Sequence, residues 1–125
     1  MKAKSAKAKG GKLQNLVAQE LRDAFPSLEH DDINPQIMGV SGEDIVMSPL
    51  AKKTVKMSFE CKNQERLNLW DSLEQANTNC EERCPVLVFT RNRKPVYAAI
   101  PFEELIKLIK ENECTKTITK QQKRK

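Results

Sequence analysis

The stretch TVKMSFECKN, residues 54–63, decides how this chain is read. Val55, Met57, Phe59 and Cys61 recur at every second position, as on one face of a β-strand. The other face carries Lys56, Ser58, Glu60 and Lys62. Glu60 and Lys62, oppositely charged and two residues apart on one face, either form a solvated pair or hold something between them. The neighbouring segments bear on that choice.

Upstream, QIMGV (36–40) reads as a short strand, SGED (41–44) as a turn and DIVMS (44–48) as a second strand. Residues 49–53 then connect into the quoted strand. Adjacent strands with a short connection predict an antiparallel hairpin, across which Asp44 and Glu60 approach each other. Two carboxylates side by side repel unless one is protonated or a cation lies between them, and hard oxygen ligands of this kind favour Mg²⁺ or Mn²⁺. A magnesium ion held by few carboxylates keeps positions open for water and a phosphate oxygen, the arrangement of metal-assisted phosphodiester hydrolysis. Lys62 then orients that water or stabilises charge growing on the phosphate oxygens.

The preceding segment GKLQNLVAQELRDAFP (11–26) has helical period, with Leu13, Leu16, Val17, Leu21 and Ala24 in one stripe ended by Pro26. Glu20 falls near the middle of that stripe and is expected to point inward, where a lone charge is costly without a partner. It is either a third carboxylate of the site, a buried ion pair, or a residue at the stripe's edge. Downstream, QERLNLWDSLEQAN (64–77) reads as an amphipathic helix with Leu69, Trp70, Leu73 and Ala76 as its packing face. On residue chemistry alone Gln75 belongs to its polar side. PVLVFTR (85–91) is a continuous apolar run, the pattern of a strand covered on both faces, and VYAAI (96–100) is a further strand. Between them Arg91, Arg93 and Lys94 make a basic turn that either grips phosphates or is simply solvated. PFEELIKLIKEN (101–112) closes the domain as a helix, with Phe102, Leu105, Ile106 and Ile109 as its apolar side. The expected fold is α/β, a central mixed sheet flanked by helices in the order αβββαββα.

These residues resemble the PD-(D/E)xK nuclease superfamily, and within it the archaeal-type Holliday junction resolvases and their small phage and viral relatives. The matching stretches are Glu20 on the first helix, SGEDI with Asp44, FECK with Glu60 and Lys62, WDSLEQA with Gln75, and PVLVF. The resemblance implies that Asp44, Glu60 and the backbone carbonyl of Cys61 bind Mg²⁺, with Mn²⁺ able to substitute. It also implies that Glu20 completes the acidic cluster, that Lys62 is catalytic, that Gln75 reaches the site from the second helix, and that Ser41 lies near the scissile phosphate. Position 43 is Glu where the superfamily's name has Pro. The expected activity is structure-selective DNA cleavage, foremost of four-way junctions by a homodimer. Nicking or flap cleavage, or DNA binding without cutting, are the alternatives.

Charge is uneven along the chain. Ten of the 22 Lys and Arg residues lie in residues 1–12 and 116–125, so the segment between carries 12 bases against 17 acids, a net −5. The boundaries read from this are a basic flexible tail at 1–11, a nuclease domain at 12–112 and a second basic tail at 113–125. Such tails suit a polyanion or serve only solubility. Cys61, Cys80, Cys84 and Cys114 are too sparse for a secreted disulfide scaffold. A zinc site needs about four ligands, and His30 is the single histidine. No run approaches the roughly 18 apolar residues of a membrane span, so a soluble cytoplasmic protein is expected.

Overall fold

Strand alternation suggests that residues 54 and 55 open the central strand, but helix capping claims them. In the computed structural model, which describes residues 2–123 and the side chains of residues 7–113, a helix α2 spans Pro49–Val55 and the strand β3 spans Met57–Asn63. Ser48 caps α2 by accepting a hydrogen bond from the Ala51 N–H at 3.1 Å, and Pro49 sits in the first turn, where its missing N–H costs nothing. Lys56 ends the helix in the left-handed conformation (φ 63°), its N–H bonded to the Lys52 carbonyl.

This extra helix overturns the expected hairpin. Strand β2 (Ile45–Met47) pairs antiparallel with β1 (Ile33–Pro35), setting Ile33 opposite Met47 and Pro35 opposite Ile45, and does not join β3 in a ladder. Residues 36–40 form no strand; Gly39 turns the chain there with φ 90°. Strand β3 instead pairs parallel with β4 (Cys84–Thr90) by way of the helix α3 (Leu69–Asn79), and β4 pairs antiparallel with β5 (Tyr97–Ala99). A two-stranded and a three-stranded mixed sheet result. The expected order of elements holds, with α2 added between the second and third strands.

Both faces of β3 and β4 are covered, which is why β4 reads as an unbroken apolar run. Phe59, Cys61, Val86 and Val88 point into the main core, with Leu13, Val17 and Ala18 of the helix α1 (Lys2–Ala24) and with Ile33, Ile45, Met47, Ala51 and Val55. Ser58, Glu60 and Leu87 issue from the other face, the side on which α3 buries Ser72 and Ala76. Arg22 ties α1 to the small sheet, donating from Nη2 to the Ile33 carbonyl at 2.6 Å and to Asn34 Oδ1 at 3.2 Å.

Three expected faces are corrected. On α1 the buried side runs through Leu13, Gln14, Val17 and Ala18, while Leu16 and Glu20 are exposed. Ala18 is fully buried on that side. On α3 the approach is likewise made by small residues, Ser72 and Ala76, so Trp70 is left at the rim, 78% exposed. The helix α4 (Phe102–Lys123) does not close the core: α1 and α3 already cover both sheet faces, and Phe102, Leu105, Ile106 and Ile109 face outward. The folded body also begins before residue 12, since Lys9 to Gly11 are half-buried and the Lys9 carbonyl accepts a bond from Asn63. Most of the two basic segments, and Cys114, lie outside the described side chains. Among the described residues no helix is long and apolar enough to cross a membrane.

Candidate active site

Asp44 and Glu60 do approach, by a docking contact instead of a ladder. The Asp44 N–H donates to the Phe59 carbonyl at 3.2 Å, and the Cys61 N–H donates to Asp44 Oδ2 at 2.6 Å. Backbone groups of alternate strand residues point to opposite edges, so Phe59 and Cys61 turn toward Asp44 while Ser58, Glu60 and Lys62 bond β4. The Cys61 carbonyl therefore lies on the same edge as the Asp44 carboxylate.

The Glu60 side chain is only 3% exposed. One of its oxygens, Oε2, is 3.5 Å from Lys62 Nζ. The other, Oε1, is buried with no hydrogen-bond partner, the one such side-chain atom among the described residues. Burial, and then the charge of Asp44, push the Glu60 carboxyl up to about 7, with Lys62 pulling the other way. Burial also raises Asp44, offset in part by the Cys61 N–H, by a hydrogen bond shared with the Glu60 carboxyl and by Lys62. Near neutral pH this pair is short of positive charge. Burial and the two carboxylates raise the Cys61 thiol strongly as well, so residue 61 offers a cation its carbonyl and not a thiolate.

The loop carrying Asp44 is fixed from the far end of α3. Gly42 adopts φ 107°, open to glycine and strained for other residues, and its carbonyl accepts from Asn79 Nδ2 at 3.3 Å. Glu43 takes both arms of the Arg83 guanidinium, with Nη1 donating to Oε2 at 3.1 Å and Nη2 to Oε1. Arg83 also donates to Glu81 Oε1 at 2.6 Å, and its side chain is 8% exposed. The Glu that replaces Pro before the site's Asp is thus a fastening.

A cavity of about 520 Å³ opens over Asp44, bounded by Ser41 from the loop and by Asp71, Glu74, Gln75 and Thr78 of α3. The structure therefore gathers Asp44, Glu60, Lys62, the Cys61 backbone, Ser41 and Gln75. It does not gather Glu20, which is exposed on α1 and makes no ion pair among the described residues. Arg91, Arg93 and Lys94 lie at the exposed turn after β4, outside this cavity. Asp71 and Glu74 are cavity residues that sequence reasoning missed, although 71, 74, 75 and 78 make a polar stripe at helical spacing. Glu43 and Arg83 carried no signal, being 40 residues apart.

The donor set suits a hard divalent cation: two carboxylates of raised pKa, one buried oxygen without a partner, and a carbonyl on the same edge. Among the described residues no third carboxylate, cysteine or histidine joins them in a metal-sized cluster, so most of such an ion's coordination falls to water and substrate.

This architecture is that of the PD-(D/E)xK nucleases. A profile of the family described as "Phage putative PDDEXK endonuclease" matches residues 5–125, and the chain belongs to that family of endonucleases, hydrolases that act on DNA. No curated protein and no solved structure matches the chain.

Proposed function

We propose that this chain is a Mg²⁺-dependent, structure-selective DNA endonuclease that resolves four-way (Holliday) junctions by paired phosphodiester hydrolysis, as a homodimer in the host cytoplasm. The observation that carries the metal-dependent reading is the buried, unpartnered Glu60 Oε1 beside Asp44 and Lys62. Asp44, Glu60 and the Cys61 carbonyl would hold Mg²⁺ or Mn²⁺, which when bound polarises a phosphoryl oxygen and lowers the pKa of a water.

The chain's own residues supply the rest. Lys62, tethered to Glu60 Oε2, keeps its ammonium beside the carboxylates, where it orients the attacking water and offsets charge as it grows on the phosphate oxygens. Ser41 and Gln75, on the cavity walls, donate to the scissile phosphate and to the water. Glu20 has no part in this reading. The arginines and lysine of the turn after β4 contact DNA away from the cut. Dimerisation is supported by the uncovered apolar side of α4, and junction selectivity by the sequence resemblance.

The deciding experiment incubates four-way junction, flap, nicked and linear duplex DNA with the protein in Mg²⁺, Mn²⁺ or EDTA. Symmetric paired cuts in the junction, present with either metal and absent in EDTA and in Asp44→Asn, are expected. Cleavage confined to flaps or nicks would replace junction resolution with the corresponding repair or nicking activity, and cleavage in EDTA would remove the metal.

A further inference from the structure

A second cavity, of about 580 Å³, lies at the carboxyl ends of β3 and β4, the place where open α/β sheets commonly receive ligands. Gln64 and Glu65 follow β3 into it, Arg91 and Lys94 follow β4, and Phe89 and Tyr97 form its aromatic wall. The rings of Phe89 and Tyr97 stack with centroids 6.1 Å apart and an interplanar angle of 29°. Tyr97 remains 58% exposed, so much of its surface is open to a further ring.

The wall is built and held. The Lys94 N–H closes a turn onto the Arg91 carbonyl at 3.1 Å, and the Asn92 N–H donates to Glu65 Oε2 at 2.8 Å. The carboxylate after β3 thereby pins the basic turn after β4. Register places this wall beside the candidate active site: Lys62 is the partner of Phe89, and Phe89 the partner of Tyr97, so the three side chains form one row across the sheet. Two strand spacings separate Lys62 from Tyr97, about 10 Å. At about 3.4 Å per stacked base, that is about three nucleotides from a phosphate at the proposed active site.

We propose that this cavity receives an unpaired nucleotide of the DNA substrate, its base stacked on Tyr97 and its phosphate held by Arg91 and Lys94. The proposal rests on the DNA-endonuclease reading and deepens it by naming what the protein recognises in a distorted substrate. An aromatic ring backed by a second ring offers a base a flat apolar platform whatever its identity. Two cations at its edge match the phosphate. A perfectly paired duplex keeps its bases stacked inside and cannot use the platform, whereas a branch, flap or bulge has bases already free at little cost.

The test measures binding of the full chain, in EDTA so that nothing is cut, to a linear duplex and to the same duplex carrying one unpaired thymidine. Wild-type protein should prefer the second. Tyr97→Ala should weaken binding to the bulged DNA about tenfold and leave the linear duplex unchanged, while Tyr97→Phe, which keeps the ring, should behave as wild type. With 2-aminopurine as the unpaired base, its fluorescence should be quenched by wild type and by Tyr97→Phe but not by Tyr97→Ala. Equal weakening on both DNAs, or no weakening on either, would overturn the proposal. Because no cleavage is measured, it can fail while metal-dependent cutting survives.

Discussion

Glu60 is a carboxylate placed where its charge is unwelcome until a cation arrives. Its pKa of about 7 in the folded chain stands above the ordinary 4.5, so ionising it works against the metal-free fold. Its contribution to stability is complete below about pH 4.5 and is lost as the pH rises through about 7. Urea denaturation of metal-free protein should therefore show stability falling across that window, by at most about 3 kcal/mol, and Glu60→Gln should flatten the slope. Added Mg²⁺ should raise the melting temperature of wild type at pH 8 and leave Glu60→Gln nearly unmoved. Identical pH slopes in the two proteins would show that Glu60 is not held in the buried, uncompensated state. In cleavage assays Asp44→Asn and Glu60→Gln should cut no detectable DNA while binding it nearly as wild type. Lys62 has a different signature. If it acts on charge that grows only in the transition state, Lys62→Ala should lower kcat by about 10²-fold or more with KM little changed. A raised KM at unchanged kcat would make Lys62 a ground-state grip on DNA.

The element that positions this chemistry is the loop of residues 41–44, and its fastenings lie a helix away. Arg83→Ala would leave Glu43 half-buried and unpaired, a loss on the order of 3 kcal/mol for a broken buried pair. The double variant Arg83→Met with Glu43→Leu, which removes both charges, should recover much of that loss in thermal melts. Failure to recover would mean the two act independently. Gly42→Ala, forced into φ 107°, should lower cleavage more than it lowers DNA binding, because the strain falls beside Asp44. These couplings also explain what the sequence could and could not reveal. Glu60 and Lys62 were legible because a strand's two-residue period is local. Asp44 was legible as a partner for Glu60, but the route was not: Ser48 and Pro49 cap a helix that removes the expected ladder, and the contact is remade by the Asp44 N–H and carboxylate on β3. That capping signature was in the sequence, masked by the alternation running through Val55. The rotation of α1, which exposes Glu20 and buries Gln14 and Ala18, is set by packing against the rest of the core. Hydropathy along one helix does not contain that fact. Trp70 illustrates the same limit on α3, since a large apolar residue packs only if the small ones beside it leave room.

At the scale of the molecule, the chain leaves an apolar helix face uncovered and places most of its excess positive charge outside its acidic centre. On α4, Phe102, Leu105, Ile106 and Ile109 recur at helical spacing and are all exposed, next to an apolar groove that includes Trp70 and Leu73 of α3. Contiguous exposed apolar surface of this kind is usually covered by a partner. A second copy is the partner the proposed activity requires, because one active site makes one nick and a junction needs two. Sedimentation of the wild-type chain should then show a dimer, and Ile106→Glu combined with Ile109→Glu should yield a folded monomer, since neither residue contributes to the core. The monomer should still nick in Mg²⁺ but lose paired cutting, so that junctions accumulate singly nicked product. A doubly substituted protein that remains dimeric would move the interface off α4, and a monomeric wild type that still makes paired cuts would remove the dimer from the mechanism. Salt dependence separates this protein contact from the charge effect. Replacing the five lysines of residues 1–12 with glutamine should make the fall of log affinity with log salt shallower by about 0.9 for each phosphate they neutralise, while the dimer itself persists. If the slope does not move, the phosphate contacts belong to the bases left in place, those of residues 116–125 or Arg91, Arg93 and Lys94.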